Sequence, residues 1–212
     1  MNLIENEYAS VEVQSVGPLD VNCYFIFIKE SSRLYIIDSG SDAAVIINKA
    51  GQYNASEINL LQTHCHVDHI SALGEVTKQL KINALYINED DLTLYYSPDN
   101  HIMPYMSVAK DLPEPDKNYI PEDCEVISTP GHTPGGVCFY FRELNALFSG
   151  DTLFRRSIGR TDLNGGHHET LIKSIREKLS TLPDTTLVFP GHGESTTIED
   201  EKKHNPYVGI AE

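Results

Sequence analysis

At 212 residues, with 40% hydrophobic and 22% charged side chains, the chain can bury an apolar core without disulfides and is too apolar to be disordered. A formal net charge of −15 argues against nucleic-acid or anionic-membrane partners, which need clustered Lys and Arg. Residues 1–10 hold no apolar leader and no later run approaches the ~20 apolar residues of a membrane span, so a soluble, cytoplasmic protein is expected.

Strand-like segments dominate the first forty residues, with aromatic and β-branched runs at 22–29 (NCYFIFIK) and 34–37 (LYII). The second run ends at Asp38-Ser39-Gly40, a turn signal. Asp42 is placed to cap a helix through Ala50, with Ala43, Ile46, Ile47 and Ala50 as its apolar stripe. A short buried strand at 58–61 runs straight into the polar stretch 63–68, and the spacing of Ile70, Leu73, Val76 and Leu80 predicts a helix over 70–80. A strand at 84–87 and a short helix from Glu89 complete an alternation of strand and helix, the mark of α/β layering.

Residues 97–121 break this pattern with Pro98, Pro104, Pro113, Pro115 and Pro121, and with Tyr105 and Tyr119 among them. A loop of that length reads either as a lid or pocket wall or as a plain surface excursion. Strands follow at 125–128, 137–141 and 146–148, then a helix at 168–179, then a strand at 187–189 that runs into Pro190-Gly191-His192-Gly193. One domain over residues 1–212 is expected. None of Cys23, Cys65, Cys124 and Cys138 forms a Cys-x-x-Cys pair; Cys124 and Cys138 could be bridged, but reduced thiols are the expectation.

The stretch Thr63-His64-Cys65-His66-Val67-Asp68-His69 packs three imidazoles and a carboxylate into six residues, the donor types that divalent zinc prefers. Three more candidates follow apolar strands beside glycine: His132 in TPGHTPG, Asp151 in SGD and His192 in GHG. Seven such ligands are too many for one metal ion and fit two. Cys65, between His64 and His66, should point away from a metal as a buried thiol. His101, His167, His168 and His204 read as surface residues.

The pattern His64-x-His66-x-Asp68-His69, with His132, Asp151 and His192, resembles the metallo-β-lactamase superfamily. That resemblance implies an α/β four-layer αβ/βα sandwich with a binuclear metal site at the edge of its two sheets. His64, His66 and His132 would hold one ion, Asp68, His69 and His192 the other, and Asp151 would bridge them. Zinc is the expected ion, with iron and manganese as alternatives.

Within the superfamily, TPGHTPGG (129–136), SGDTLFRRSIGR (149–160) and PGHGESTTIEDE (190–201) with Asn205-Pro206 are similar to glyoxalase II, a hydroxyacylglutathione hydrolase, without its C-terminal helical domain. The implied activity is hydrolysis of a small-molecule acyl thioester or ester by a metal-bridging hydroxide. Asp68 would anchor the second metal and accept a proton. Arg160 could meet a substrate carboxylate bidentately, with Asp162 nearby to repel it, and Tyr105 is a candidate substrate contact from its loop. Gly159-Arg160-Thr161-Asp162 also resembles the persulfide dioxygenases, which use one iron held by residues matching His64, His132 and Asp151. A non-catalytic metal-binding module is the third reading.

Overall fold

The computed structural model describes residues 1–209, which form two compact units. The first comprises residues 1–87 and 92–120, the second residues 88–91 and the chain from Pro121 onward.

The first unit is built on a six-stranded sheet in sequential order: β1 (Asn2–Glu5), β2 (Ala9–Val16), β3 (Val21–Ile28), β4 (Arg33–Ile37), β5 (Glu57–Leu61) and β6 (Ala84–Tyr86). The first four are antiparallel neighbours; β4, β5 and β6 are parallel and need helical crossovers. Leu34, Tyr35, Ile36 and Ile37 of β4 are all buried, as a continuously apolar central strand should be. Helices α1 (Ala43–Ala50) and α3 (Leu73–Gln79) set Ile46, Ala50, Leu73 and Val76 against Phe25, Leu34, Ile36 and Leu60.

The helix expected over 70–80 is two helices, α2 (Val67–Ile70) and α3. The break has a direct cause. The Ala72 N–H donates to the Gly40 carbonyl at 2.7 Å instead of continuing the helical ladder. A one-turn α2 thus carries Asp68 and His69 at a fixed angle beside β4. Asp42 does stand at the start of α1, but with φ of 56° and no cap bond. Its carboxylate instead accepts from the Gly17 N–H at 2.7 Å. A short helix α4 (Leu92–Tyr95) precedes residues 97–121, which hold one isolated bridge, Ile102 to Met106.

The second unit contains β7 (Glu125–Ser128), β8 (Val137–Phe141), β9 (Ala146–Gly150), a small hairpin of β10 (Leu153–Phe154) and β11 (Ser157–Ile158), then β12 (Leu187–Pro190) and β13 (Thr196–Thr197). Its five-stranded sheet runs β13-β12-β9-β8-β7, with β9 and β12 parallel. Helices α5 (His168–Glu177) and α6 (Ile198–His204) bury Leu171, Ile175 and Ile198 against Tyr140, Leu147 and Val188.

Helix α6 is not among the elements expected from the sequence, although its start is well marked. Thr197 caps it by accepting from the Asp200 N–H at 3.2 Å. Glu199, Asp200 and Glu201 fill its first turn and Lys202, Lys203 and His204 its last, matching the helix dipole. All four cysteines are free thiols, and no helix among the described residues is long and apolar enough to cross a membrane.

Leu171 is fully buried where α5 meets the sheet. Leu171→Ala should therefore cost about 2–5 kcal/mol of unfolding free energy. Urea denaturation would read this as a lower midpoint at constant slope; an unchanged midpoint would contradict the assignment of α5 to the core.

Candidate metal centre

In the first unit the ligand-rich stretch leaves the C-terminal end of β5, next to the end of β4. The Asp38 N–H donates to the Leu61 carbonyl at 3.0 Å, which brings the Asp38 side chain under residues 63–69. Asp38 is 1% exposed, and its carboxylate accepts from the Thr63 N–H at 2.8 Å, the Thr63 hydroxyl at 2.7 Å and His69 Nδ1 at 3.0 Å.

This network determines the histidine tautomers by donor counting. A carboxylate only accepts, so His69 carries its proton on Nδ1. The single Thr63 proton is given to Asp38, so the Thr63 oxygen accepts from His64 Nδ1, at 3.1 Å. In the neutral form both rings therefore place their lone pair on Nε2, the state a metal ligand needs. The donor atoms of Asp38, His64 and His69 all lie within 4.8 Å of one another. Gly40 completes the support. It has φ of 56°, and its N–H donates to the His69 carbonyl at 2.8 Å. A Cβ there would sit 2.4 Å from Val16 Cγ2, so no side chain fits.

The second unit uses the same device. His132 lies in the turn between β7 and β8, and its Nδ1 donates to the Arg160 carbonyl at 2.7 Å, again leaving the lone pair on Nε2. The turn is held by Asp91, 1% exposed, whose carboxylate accepts from the Gly135 N–H at 2.6 Å and the Thr133 hydroxyl at 2.9 Å. Asp151 and His192 follow the parallel neighbours β9 and β12. The Gly191 N–H donates to the Gly150 carbonyl at 2.8 Å, which sets the two side chains next to each other.

Among the described candidate ligands, three donor pairs have a spacing that hydrogen bonding does not account for. Within the second unit, His132 Nε2 and His192 Nε2 each lie 3.6 Å from the same oxygen, Asp151 Oδ2. Within the first, His69 Nε2 lies 3.7 Å from Asp68 Oδ2. These separations are too long for hydrogen bonds. Two ligands each about 2.1 Å from a tetrahedral zinc stand roughly 3.4 Å apart, so the spacing suits pairs sharing an ion. Imidazole and carboxylate donors fit zinc, iron and manganese alike.

Residues outside the ligand set divide clearly. Cys65 is fully buried in the apolar cluster of the first unit. His101, His167, His168 and His204 are exposed, and the His167 ring caps α5 by accepting from the Thr170 N–H at 3.2 Å. Tyr105 is 71% exposed and lines an open groove of about 430 Å³ with Pro18, Ser41, Ser71 and Lys78. Residues 105–111 thus form a pocket wall. Arg160 does not present an open fork to solvent. Its Nε and Nη2 both donate to the Asp162 carboxylate at 2.8 Å, so Asp162 engages the guanidinium rather than merely standing near it. Sequence reasoning missed Asp38 and Asp91. The first was visible only as part of a turn signal, and the second sat unremarked in a predicted short helix.

The sequence between residues 16 and 192 matches the family model of the metallo-beta-lactamase superfamily. The chain belongs to that superfamily. Among its curated relatives is a probable metallo-hydrolase, YqgX of Bacillus subtilis, 38% identical over 91% of this chain and 94% of that protein. Another is the hydroxyacylglutathione hydrolase GloC of Haemophilus influenzae, 34% identical over 94% of this chain and 98% of that protein. A crystal structure of TTHA1623 in a di-iron-bound form is 32% identical, with a TM-score of 0.79, over 92% of this chain and 99% of that one. This chain therefore has the metallo-β-lactamase fold and belongs among metal-binding hydrolases.

The hydrogen bonds from Arg160 pull the exposed Asp162 carboxyl down to about 2. Because its pKa is depressed, the pair is intact throughout the neutral range and is lost only as pH falls through that value. Carboxyl-carbon NMR titration should place the Asp162 midpoint there and return it to the ordinary carboxylate range in Arg160→Ala. An unshifted midpoint in the unsubstituted protein would contradict the pairing.

Proposed function

We propose that this metallo-β-lactamase-fold chain is a binuclear metallohydrolase that cleaves a small-molecule acyl thioester, or an ester, in the cytoplasm. Residues 1–212 act as a single domain in this reading. His64, His66 and His132 hold one ion, Asp68, His69 and His192 hold the other, and Asp151 bridges the two. The observation that carries the proposal is the equal spacing of 3.6 Å from one Asp151 oxygen to His132 Nε2 and to His192 Nε2, residues assigned to different ions. The likeness to GloC supports a thioester substrate. Zinc is the proposed metal; the likeness to a protein crystallised with two irons makes iron the alternative.

When bound, the ions lower the pKa of a shared water toward about 7 and act as Lewis acids on the acyl carbonyl. The protein's own part is to orient and to manage protons. Asp38, Thr63 and the Arg160 carbonyl hold the Nδ1 side of the imidazoles and so aim their Nε2 atoms. Asp68 would serve as the proton acceptor, and the groove beside Tyr105 and Ser71 would receive the acyl or carrier portion. Asp162 occupies the Arg160 fork, so a carrier carboxylate must compete for it; this favours carriers other than glutathione.

Elemental analysis of protein purified without chelators should find about two metal ions per chain, with thioester hydrolysis in the same sample. Asp151→Ala should lower kcat/KM by more than about 100-fold, beyond what an outer-shell substitution costs, and should reduce metal content. One iron per chain, with oxygen uptake on a persulfide and no hydrolysis, would replace this reading with the dioxygenase one.

A further inference from the structure

Helix α2 has an unusual start. It is only four residues long, and the residue at its N-cap position, His66, makes no side-chain cap bond. In the proposed function, on which this inference rests, that ring is committed to a metal. The first helical N–H, that of Val67, still needs an acceptor in a buried place.

The acceptor comes from far along the chain. Val67 N–H donates to Asn100 Oδ1 at 3.0 Å. The other end of the same amide donates from Nδ2 to the Cys65 carbonyl at 2.8 Å and to the Leu94 carbonyl at 3.2 Å. Asn100 is 6% exposed and lies near the start of the Pro-rich stretch, after α4 and Pro98. One side chain thus grips the backbone on both sides of His66, as a neighbouring strand would, and holds His66 at φ −62° and ψ 146°. Only a group that both donates and accepts can do this. Alanine loses all three bonds, and aspartate keeps the acceptor but sets a carboxylate against the Cys65 and Leu94 carbonyls.

We propose that Asn100 is a positioning residue for the metal centre: its side-chain amide, bonded to Cys65 and Val67, fixes the backbone of His66 and so the direction in which that imidazole meets its ion. The first part of the Pro-rich stretch then acts as a latch on the ligand loop, a role separate from the groove wall formed by residues 105–111.

The test compares the full-length protein with Asn100→Ala and Asn100→Asp, using zinc competition against a chromogenic chelator and the visible spectrum of the cobalt-substituted protein. Amide hydrogen exchange at Val67 is followed in metal-free samples. Asn100→Ala should bind the more weakly held zinc about 10–100-fold less tightly and shift the cobalt bands. Its Val67 amide should exchange about 10-fold faster or more. Asn100→Asp, nearly isosteric, should keep Val67 protected yet fail to restore zinc affinity; it decides the matter if the alanine variant does not fold. Unchanged zinc affinity and cobalt spectrum in either folded variant would overturn the proposal, even with faster exchange. If the unsubstituted protein bound no zinc or cobalt, the proposed function would fail first. Val67 exchange alone would then decide whether Asn100 holds the loop.

Discussion

The buried carboxylate of Asp38 is the constraint around which the first unit's ligand loop is organised. It sits at the end of β4 and accepts three hydrogen bonds, two from Thr63 and one from His69. A carboxylate this deep is tolerable only when its lone pairs are satisfied, and here the donors are the residues that must be aimed. Through the Thr63 hydroxyl the constraint passes on to His64. The pairing of β4 with β5 thereby becomes a choice of tautomer at two imidazoles.

The second unit reaches the same end with different parts. A backbone carbonyl, that of Arg160, orients His132, and the parallel register of β9 and β12 sets Asp151 beside His192. Asp91 clamps the turn that carries His132, bonding across 42 and 44 residues to Thr133 and Gly135. The candidate ligands thus sit on short turns whose backbones are pinned by polar groups outside that set. Such outer partners commonly tune metal affinity by about 10–100-fold.

The candidate ligands were legible in the sequence because metal chemistry accepts few residue types and they were grouped: His64, His66, Asp68 and His69 in one run, and His132, Asp151 and His192 each beside glycine past an apolar strand. Central strands were legible because their burial is written as continuous apolar runs such as LYII. Their supports were not. Asp38 reads as a turn residue until β4 and β5 are known to be neighbours, and Asn100 lies 33 residues from the Val67 it caps. The break between α2 and α3 was hidden for a related reason, since the apolar spacing continues across it while the hydrogen bond that makes it comes from Gly40. Arg160 misled in the opposite direction. Its side chain suggested an anion site, but in the fold its carbonyl serves His132 and its guanidinium is paired with Asp162.

The fold prepares the imidazoles before any ion arrives. Long-range proton–nitrogen NMR of the histidine rings in metal-free protein, at a pH where they are neutral, tests it most directly. His64, His69 and His132 should all carry the proton on Nδ1, against the usual preference of free imidazole side chains for Nε2. Rings protonated on Nε2, or averaging between the two forms, would mean that the metal and not the surrounding hydrogen bonds sets their orientation.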